Sequence, residues 1–441
     1  MPVWNKDIET LNREDIEQLQ LERLQAIVYR CYKNVSFYKN KFDEIGITPD
    51  DIQSLDDLSK LPFTTKDDLR ESYPYGMFAV PLREIVRIHS SSGATGLPTV
   101  VGYTRNDLEN WSDLCARIMF AAGVTRDDVV QIAFDYGIFT GGFGFHQGAE
   151  RIGASVIPTS VGHTNRQVTI IKDYKTTAIA STPNCALTIA ERMEKLNIDP
   201  KSLNLRVGLF GAEQWNESIR KEVEERLLIK ATDNYGLSEI LGPGVAGECE
   251  ERCGLHINED HFVAEIIDPK TGKKLAAGAE GELVLTTLTK EGFPLLRYRT
   301  GDVTTLDIDP CGCGRTLARM ARVMKRTDDI LIVRGVNVYP SRVREILIQK
   351  DGNIPEFQIV AYRQDNKDNL EVKVEISEEL FLDEMKQLRT YHLQLERAMQ
   401  KSLGIAAKVK LVEPATLRDE NGSIKRVVDL RPRNGETPPA E

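Results

Sequence analysis

Two groups of residues have the types and spacing to hold a metal ion. Cys249-Glu250-Glu251-Arg252-Cys253-Gly254-Leu255-His256 and Pro310-Cys311-Gly312-Cys313-Gly314 place four thiols and one imidazole on two short, turn-forming stretches. Thiolate sulfur and imidazole nitrogen are the donors Zn²⁺ takes in closed tetrahedral sites. One ion shared by both stretches would cross-link regions well separated in sequence. The competing reading is a set of independent buried thiols, since free cysteine packs as a small apolar side chain. Five donors stand for four places. A different kind of stretch is Ser90-Ser91-Ser92-Gly93-Ala94-Thr95-Gly96-Leu97-Pro98-Thr99, directly after the apolar Ile85-Val86-Arg87-Ile88. Hydroxyls packed between glycines let backbone N–H groups approach an anion closely. The spacing is neither that of a Walker loop nor that of a dinucleotide fingerprint. A plain Ser/Gly surface loop competes with the anion reading on composition.

The surrounding sequence supplies elements to position these groups. Ile16, Leu19, Leu21, Leu24, Ile27, Val28 and Cys31 recur at helical spacing. From about residue 85, strand-length apolar runs (129–134, 154–158, 177–180, 205–210) alternate with amphipathic stretches (105–122, 218–227), which predicts an α/β domain. Thr104 and Asp107 form a capping-box pattern at the first of those helices. Residues 263–306 read as antiparallel strands. After Arg326-Thr327-Asp328-Asp329 the texture changes to a small α+β domain. Its elements are a strand at 330–333, a helix from Ser341, strands at 358–363 and 370–376, a helix over 378–401 and a strand at 408–412. The expected division is 1–327 and 328–441, with a disordered tail from about 432. Cys31, Cys115 and Cys185 read as core.

The chain has 441 residues, with 57 Lys+Arg against 67 Asp+Glu and a net charge of −10. That length suggests two or three domains of ~150 residues. The acidic balance argues against a nucleic-acid or anionic-membrane partner. No apolar run approaches the ~20 residues of a membrane span, and the first residues lack the apolar core of a signal peptide. Seven cysteines, an odd number, make no disulfide scaffold. A reduced cytoplasmic protein is expected.

Four stretches in order resemble the signatures of the adenylate-forming enzymes, the acyl- and aryl-CoA ligases: Ser91–Thr99, Asn234-Tyr235-Gly236-Leu237-Ser238-Glu239, Tyr298-Arg299-Thr300-Gly301-Asp302, and Arg326 through Arg334-Gly335. Phe139-Thr140-Gly141-Gly142, Phe210–Trp215, Glu259–Phe262, Thr287-Leu288-Thr289-Lys290-Glu291 and Val336–Pro340 narrow the resemblance to the phenylacetate–CoA ligase branch. The likeness runs from about residue 10 to about 432. It implies a large mixed α/β N-terminal domain and a mobile C-terminal lid. The implied reaction uses ATP, Mg²⁺ and coenzyme A to make an acyl-adenylate and then a thioester, releasing pyrophosphate and AMP.

The resemblance also implies roles. Ser91, Ser92, Gly93, Thr95 and Gly96 would cradle phosphate. Glu239 would hold Mg²⁺, and Asp302 the ribose hydroxyls. Arg326 would contact nucleotide, while Gly211, Ala212, Glu213, Asn234, Tyr235 and Gly236 would line the adenine pocket. Tyr136, Phe139, Gly141 and Gly142 would wall the acid pocket. Asp328 would be the hinge, and Arg334 and Gly335 would meet coenzyme A. For zinc, the recurrent set is Cys249, His256, Cys311 and Cys313, with Cys253 as alternate. His89 either touches nucleotide or lies behind it. A homodimer is the assembly the resemblance suggests.

The sequence also departs from that family. Leu97 stands where a phosphate-loop lysine is usual, and Lys325 where a glycine precedes the hinge arginine. Ser423 stands where a lysine normally drives adenylation, with Lys425 the nearest substitute. The rivals are a ligase for an indole- or hydroxyphenyl-acetate, and a degenerate member that binds nucleotide or acyl-CoA with weak adenylation.

Overall fold

The computed structural model describes residues 3–91, 98–323, 325–327, 331–351, 355–364, 367–376, 385–413, 416–418 and 424–431. The chain opens with α1 (Lys6–Glu9), α2 (Arg13–Asn34) and α3 (Ser36–Ile45). α2 starts where the Asn12 side chain accepts from the Asp15 N–H, and it buries Ile16, Leu24, Ile27, Val28 and Cys31. The spacing also assigned Leu19 and Leu21 to that face. Gln20 takes the buried place instead, its amide donating to the carbonyls of Glu259 and Phe262. Burial of an amide is tolerable there because both donor bonds are made. The short α4 (Lys66–Glu71) follows a Thr65–Asp68 capping box.

β1 (Arg87–Ser91) and β2 (Thr99–Tyr103) pair antiparallel. α5 (Arg105–Ala121) then starts from the expected Thr104–Asp107 box. The strands β3 (Val129–Ile132), β4 (Ser155–Ile157), β5 (Ala178–Ser181), β6 (Val207–Gly211) and β7 (Lys230–Leu237) all pair in parallel. Between them run α6 (Gly141–Ile152), α7 (Thr164–Asp173), α8 (Pro183–Lys195) and α9 (Glu217–Leu227). The order β4-β3-β5-β6-β7 puts β3 between two strands that follow it in sequence. Crevices open at the carboxyl ends of strands at such a reversal of winding.

The sheet continues antiparallel through β8 (Gly242–Glu248) and β9 (Leu255–Ile257). A second sheet holds β10 (Phe262–Ile267), β11 (Gly281–Thr287), β12 (Tyr298–Thr304) and β15 (Lys325–Arg326). β13 (Leu306–Asp307) and β14 (Arg319–Met320) complete the nine strands of the first sheet, joined through β9. The antiparallel reading of 263–306 thus matches the second sheet. The strands β7 to β9 had no reading in the sequence. Asn234, Gly236 and Gly242-Pro243-Gly244 all lower strand propensity, and only tertiary pairing overrides them.

The C-terminal unit begins with the hairpin β16 (Leu331–Val333) and β17 (Val336–Val338), followed by α10 (Pro340–Asp351). Its sheet combines β18 (Phe357–Gln364), β19 (Lys367–Glu375), β20 (Lys408–Val412) and β21 (Val427–Asp429). α11 (Met385–Leu403) packs across it and buries Leu395 and Met399. The start of the helix expected over 378–401 lies outside the described residues, as do Asp328 and the tail from 432. No helix among the described residues is long and apolar enough to cross a membrane.

Candidate active site

A cavity of about 870 Å³ opens at the carboxyl ends of β3, β5, β6 and β7. Its lining includes Ser91, Phe139, Gly141, Gly211, Ala212, Glu213, Asn234, Tyr235, Gly236, Glu239, Asp302, Arg326, Arg334 and Gly335. The fold therefore gathers expected residues from all parts of the chain, and from both sides of the expected hinge.

Two glycines are required by close backbone approach. A Cβ at Gly211 would lie 2.4 Å from the Asn234 carbonyl oxygen. One at Gly236 would lie 1.9 Å from that of Gly242. Ala212, at φ +66°, turns the chain after β6 and leads Glu213 into the wall. The Glu213 carboxylate accepts from the Asn184 N–H at 2.7 Å, at the start of α8, and burial pushes its pKa up to about 7.

At one end of the cavity, Asp302 on β12 sits opposite Arg326 on β15. Arg326 donates to one carboxylate oxygen of Asp302 and to the Thr300 carbonyl. The Tyr235 hydroxyl donates to the other carboxylate oxygen at 2.7 Å. This makes Asp302 a fixed, acceptor-only group at the cavity wall. Tyr235 is thus a wall residue tied to Asp302 through its hydroxyl.

The stretch after β7 also reaches the other end. Ser238 and Thr140 share a hydrogen bond of 2.9 Å between hydroxyls, and Ser91 donates to Glu239 Oε1 at 3.1 Å. Ser92, Gly93, Thr95 and Gly96 lie outside the described residues. Phe134, Ile138, Phe139, Gly141 and Phe145 supply an apolar wall, with Phe134 and Phe145 stacked at 7°. Two expected pocket residues stand behind that wall. Tyr136 is absent from the cavity lining, packs edge-on against Phe143 and bonds the His146 ring at 3.0 Å. Gly142 is absent as well; a Cβ there would meet the Asp135 carbonyl oxygen at 2.7 Å. Tyr136 turns away because its hydroxyl, held above its usual pKa by burial, finds a partner in His146. His89 lies among Tyr103, Trp111 and Phe143, with Nδ1 on the Ile138 carbonyl, and burial lowers its pKa. That is a core position.

The C-terminal unit closes the cavity with Arg334, Gly335, Asn337, Arg342 and residues 402–405. A Cβ at Gly335 would be 3.5 Å from Thr182, the N-cap of α8. Lys425 is exposed and outside the lining; its carbonyl accepts from Gln358. Lys66 is a wall residue that sequence reasoning missed. Its ammonium lies 4.8 Å over the Tyr339 ring, and nothing marks a lone lysine at the start of a short helix in sequence.

Away from the cavity, Cys249, His256, Cys311 and Cys313 are buried with donor atoms all within 4.8 Å of one another. Cys249 and Cys311 Sγ are 3.9 Å apart, and Cys313 Sγ lies 3.6 Å from His256 Nε2. A tetrahedron with zinc–sulfur arms of ~2.3 Å and a zinc–nitrogen arm of ~2.0 Å has edges of roughly 3.5–3.8 Å. The donor set and spacing therefore fit zinc. Hydrogen bonds from Cys249 and His256 hold Cys313 well below the ordinary thiol range. Cys253 is exposed, with Sγ directed to the Glu251 carbonyl, and stands outside this set. Cys31 and Cys115 are buried, and Cys185 is half-buried.

Fold and site together define an AMP-binding enzyme of the adenylate-forming class. The family model described as AMP-binding enzyme matches residues 36–288, and the one described as AMP-binding enzyme C-terminal domain matches 335–431. The phenylacetate-coenzyme A ligase of Thermus thermophilus is 46% identical over 443 residues, covering 97% of this chain and 100% of its own. That of Escherichia coli is 46% identical over 427 residues, covering 96% and 97%. Among solved structures, 2-hydroxyisobutyryl-CoA ligase with 2-HIB-AMP and CoA in the thioesterification state matches with a TM-score of 0.91. It is 30% identical and covers 97% of this chain and 92% of its own. The same enzyme in its postadenylation state, at the same coverage and 29% identity, gives 0.72. The chain belongs to the phenylacetate–coenzyme A ligase family of AMP-binding enzymes. That family's reaction is ATP-dependent ligation of an acid to coenzyme A through an acyl-adenylate.

Proposed function

We propose that the chain converts phenylacetate, or a close arylacetate, with ATP and coenzyme A to the aryl-CoA thioester. The observation that carries this is one cavity joining two chemistries. Asp302, Tyr235 and Arg326 form a polar end, and Phe134, Phe139 and Phe145 around Gly141 form a flat apolar one. The stretch Tyr235–Glu239 touches both, through Tyr235 to Asp302 and through Ser238 to Thr140.

In this reading Asp302 accepts the ribose hydroxyls, held by Tyr235 and Arg326. Glu239, whose Oε1 is fixed by Ser91, is the carboxylate for Mg²⁺, a cation that takes one or two protein carboxylates beside phosphate oxygens. Bound there, the ion would offset charge at the phosphates. Glu213, Asn234 and the glycines shape the adenine side. Arg334 and Gly335 face the entry of the coenzyme A arm. Cys249, His256, Cys311 and Cys313 hold a structural zinc. Cytoplasmic residence and a homodimer complete the reading.

The arrangement of the two units supports the thioester-forming step, given the likeness to the thioesterification state and the place of Gly335 at the cavity. Adenylation would then require the C-terminal unit to rotate about Asp328. Lys66 in the wall and Lys425 on the moving unit would supply the cations that Leu97 and Ser423 do not.

A panel of acids tests the substrate class. Arylacetates should exceed straight-chain acids by at least ~10-fold in kcat/KM, about 1.4 kcal/mol, because flat apolar walls match a ring. Indole- and hydroxyphenyl-acetate in the same panel identify the ring. Faster turnover of octanoate than of phenylacetate would overturn the reading.

A further inference from the structure

The turn that carries Glu239 is held by its carbonyl oxygens. It links β7 to β8. The Lys290 ammonium donates to the Ile240 carbonyl at 2.7 Å and to that of Glu239 at 3.4 Å. The Tyr103 hydroxyl donates to the Leu241 carbonyl at 2.8 Å, and the Trp111 indole N–H to that of Pro243 at 2.7 Å. Two side chains from outside the turn, Lys290 and Tyr103, thus hold three of its carbonyls, and Trp111 holds one at the start of β8.

Lys290 is 4% exposed and meets no carboxylate within ion-pair distance among the described residues. Its ammonium lies 4.6 Å over the Tyr103 ring and 5.3 Å over that of Phe293. The loop behind it is fixed as well, since Asp107 accepts from the N–H groups of Glu291 and Gly292. Burying an ammonium without a counter-ion costs several kcal/mol. Burial accordingly lowers its pKa to about 7, against the pull of Asp107 and Glu239. A neutral hydroxyl does the same service for Leu241, so the expense at Lys290 calls for a use of its length and its several donors. An ammonium carries three N–H groups and can hold two adjacent carbonyls at once.

We propose that Lys290 is a positioning residue for Glu239, clamping its backbone so that the carboxylate meets the nucleotide-bound divalent cation in one geometry. This rests on the reading of Glu239 as the metal carboxylate. The sign of the effect separates a clamp from a charge. A bare positive charge near the site repels the cation, so its removal would tighten binding. A clamp, when removed, loosens it.

The test is Mn²⁺ binding with α,β-methylene-ATP, followed by electron paramagnetic resonance, on the full chain. Lys290→Met should weaken Mn²⁺ at least ~10-fold, the lower end of the range for groups that orient a metal ligand, and Tyr103→Phe less, about threefold, in the same direction. Lys290→Met should also slow adenylation more than thioester formation from preformed adenylate. Glu239→Gln is the reference. If it weakens Mn²⁺ while Lys290→Met and Tyr103→Phe do not, or if Lys290→Met tightens it, the clamp is refuted. If Glu239→Gln changes nothing, the reading of Glu239 falls first and the clamp with it. Should Lys290→Met fail to fold, Lys290→Gln, which keeps donors but shortens the reach, takes its place and should weaken Mn²⁺ in the same direction; unchanged or tighter Mn²⁺ there refutes the clamp.

Discussion

Replacing Cys311 with serine should release one equivalent of zinc and lower stability by several kcal/mol, roughly 3–5. The size follows from what the four donors join. Cys249 follows β8, His256 lies in β9, and Cys311 and Cys313 sit on the turn between β13 and β14. These strands are the antiparallel half of the large sheet. Beside the cluster, Arg315 donates to Cys313 Sγ at 3.5 Å and to Glu9 at 2.5 Å. Glu9 lies in α1, so a zinc cross-link would extend to the start of the chain. Without an ion, three buried thiols and an imidazole would lack a common partner, while the Arg315–Glu9 pair and the backbone bonds of the turn would remain. Elemental analysis of protein purified without chelator should find about one zinc per chain. Denaturant unfolding should show the loss in Cys311→Ser and leave Cys253→Ser unchanged. Absence of zinc, or equal loss in the two variants, would refute the site.

Lys425→Ala should cut acyl-adenylate formation by ~10²-fold or more, roughly 2.7 kcal/mol, and spare thioester formation from preformed adenylate. Adenylation develops charge on the α-phosphate and on the departing pyrophosphate, and an ammonium meets such charge directly. Ser423 brings a hydroxyl and no charge. Lys425 is exposed here and two residues before β21. Rotation of the C-terminal unit is what would carry it to the cavity. Single-turnover measurements separate the halves: phenylacetate with ATP for the first, phenylacetyl-adenylate with coenzyme A for the second. Equal losses in both, or a loss below tenfold in the first, would assign Lys425 to the surface.

Much of this architecture is legible in the sequence because local and tertiary preferences agree. The apolar runs 129–134 and 205–210 become β3 and β6, and Thr104–Asp107 caps α5 as its pattern demands. The residue types and spacing gave five metal-like donors, and the resemblance chose Cys249, His256, Cys311 and Cys313 among them. The fold brings those four together and leaves Cys253 exposed. Where reading failed, a tertiary partner decided. Tyr136 looked like a pocket residue until its hydroxyl found His146, and Gln20 took a place that two leucines seemed suited to. Lys290 belonged to a recognisable stretch, yet its role as a donor to the Glu239 turn exists only once β7 and β8 bring that turn over it. Lys66 had no signal at all.

The central claim is that this chain activates an arylacetic acid as its adenylate, before and independently of coenzyme A. Exchange of labelled pyrophosphate into ATP tests that step alone. With Mg²⁺, ATP and phenylacetate, and with coenzyme A left out, label should enter ATP at a rate that depends on the acid and is small with octanoate. Acid-independent exchange, no exchange at saturating phenylacetate, or cleavage of ATP to ADP and phosphate would contradict the account.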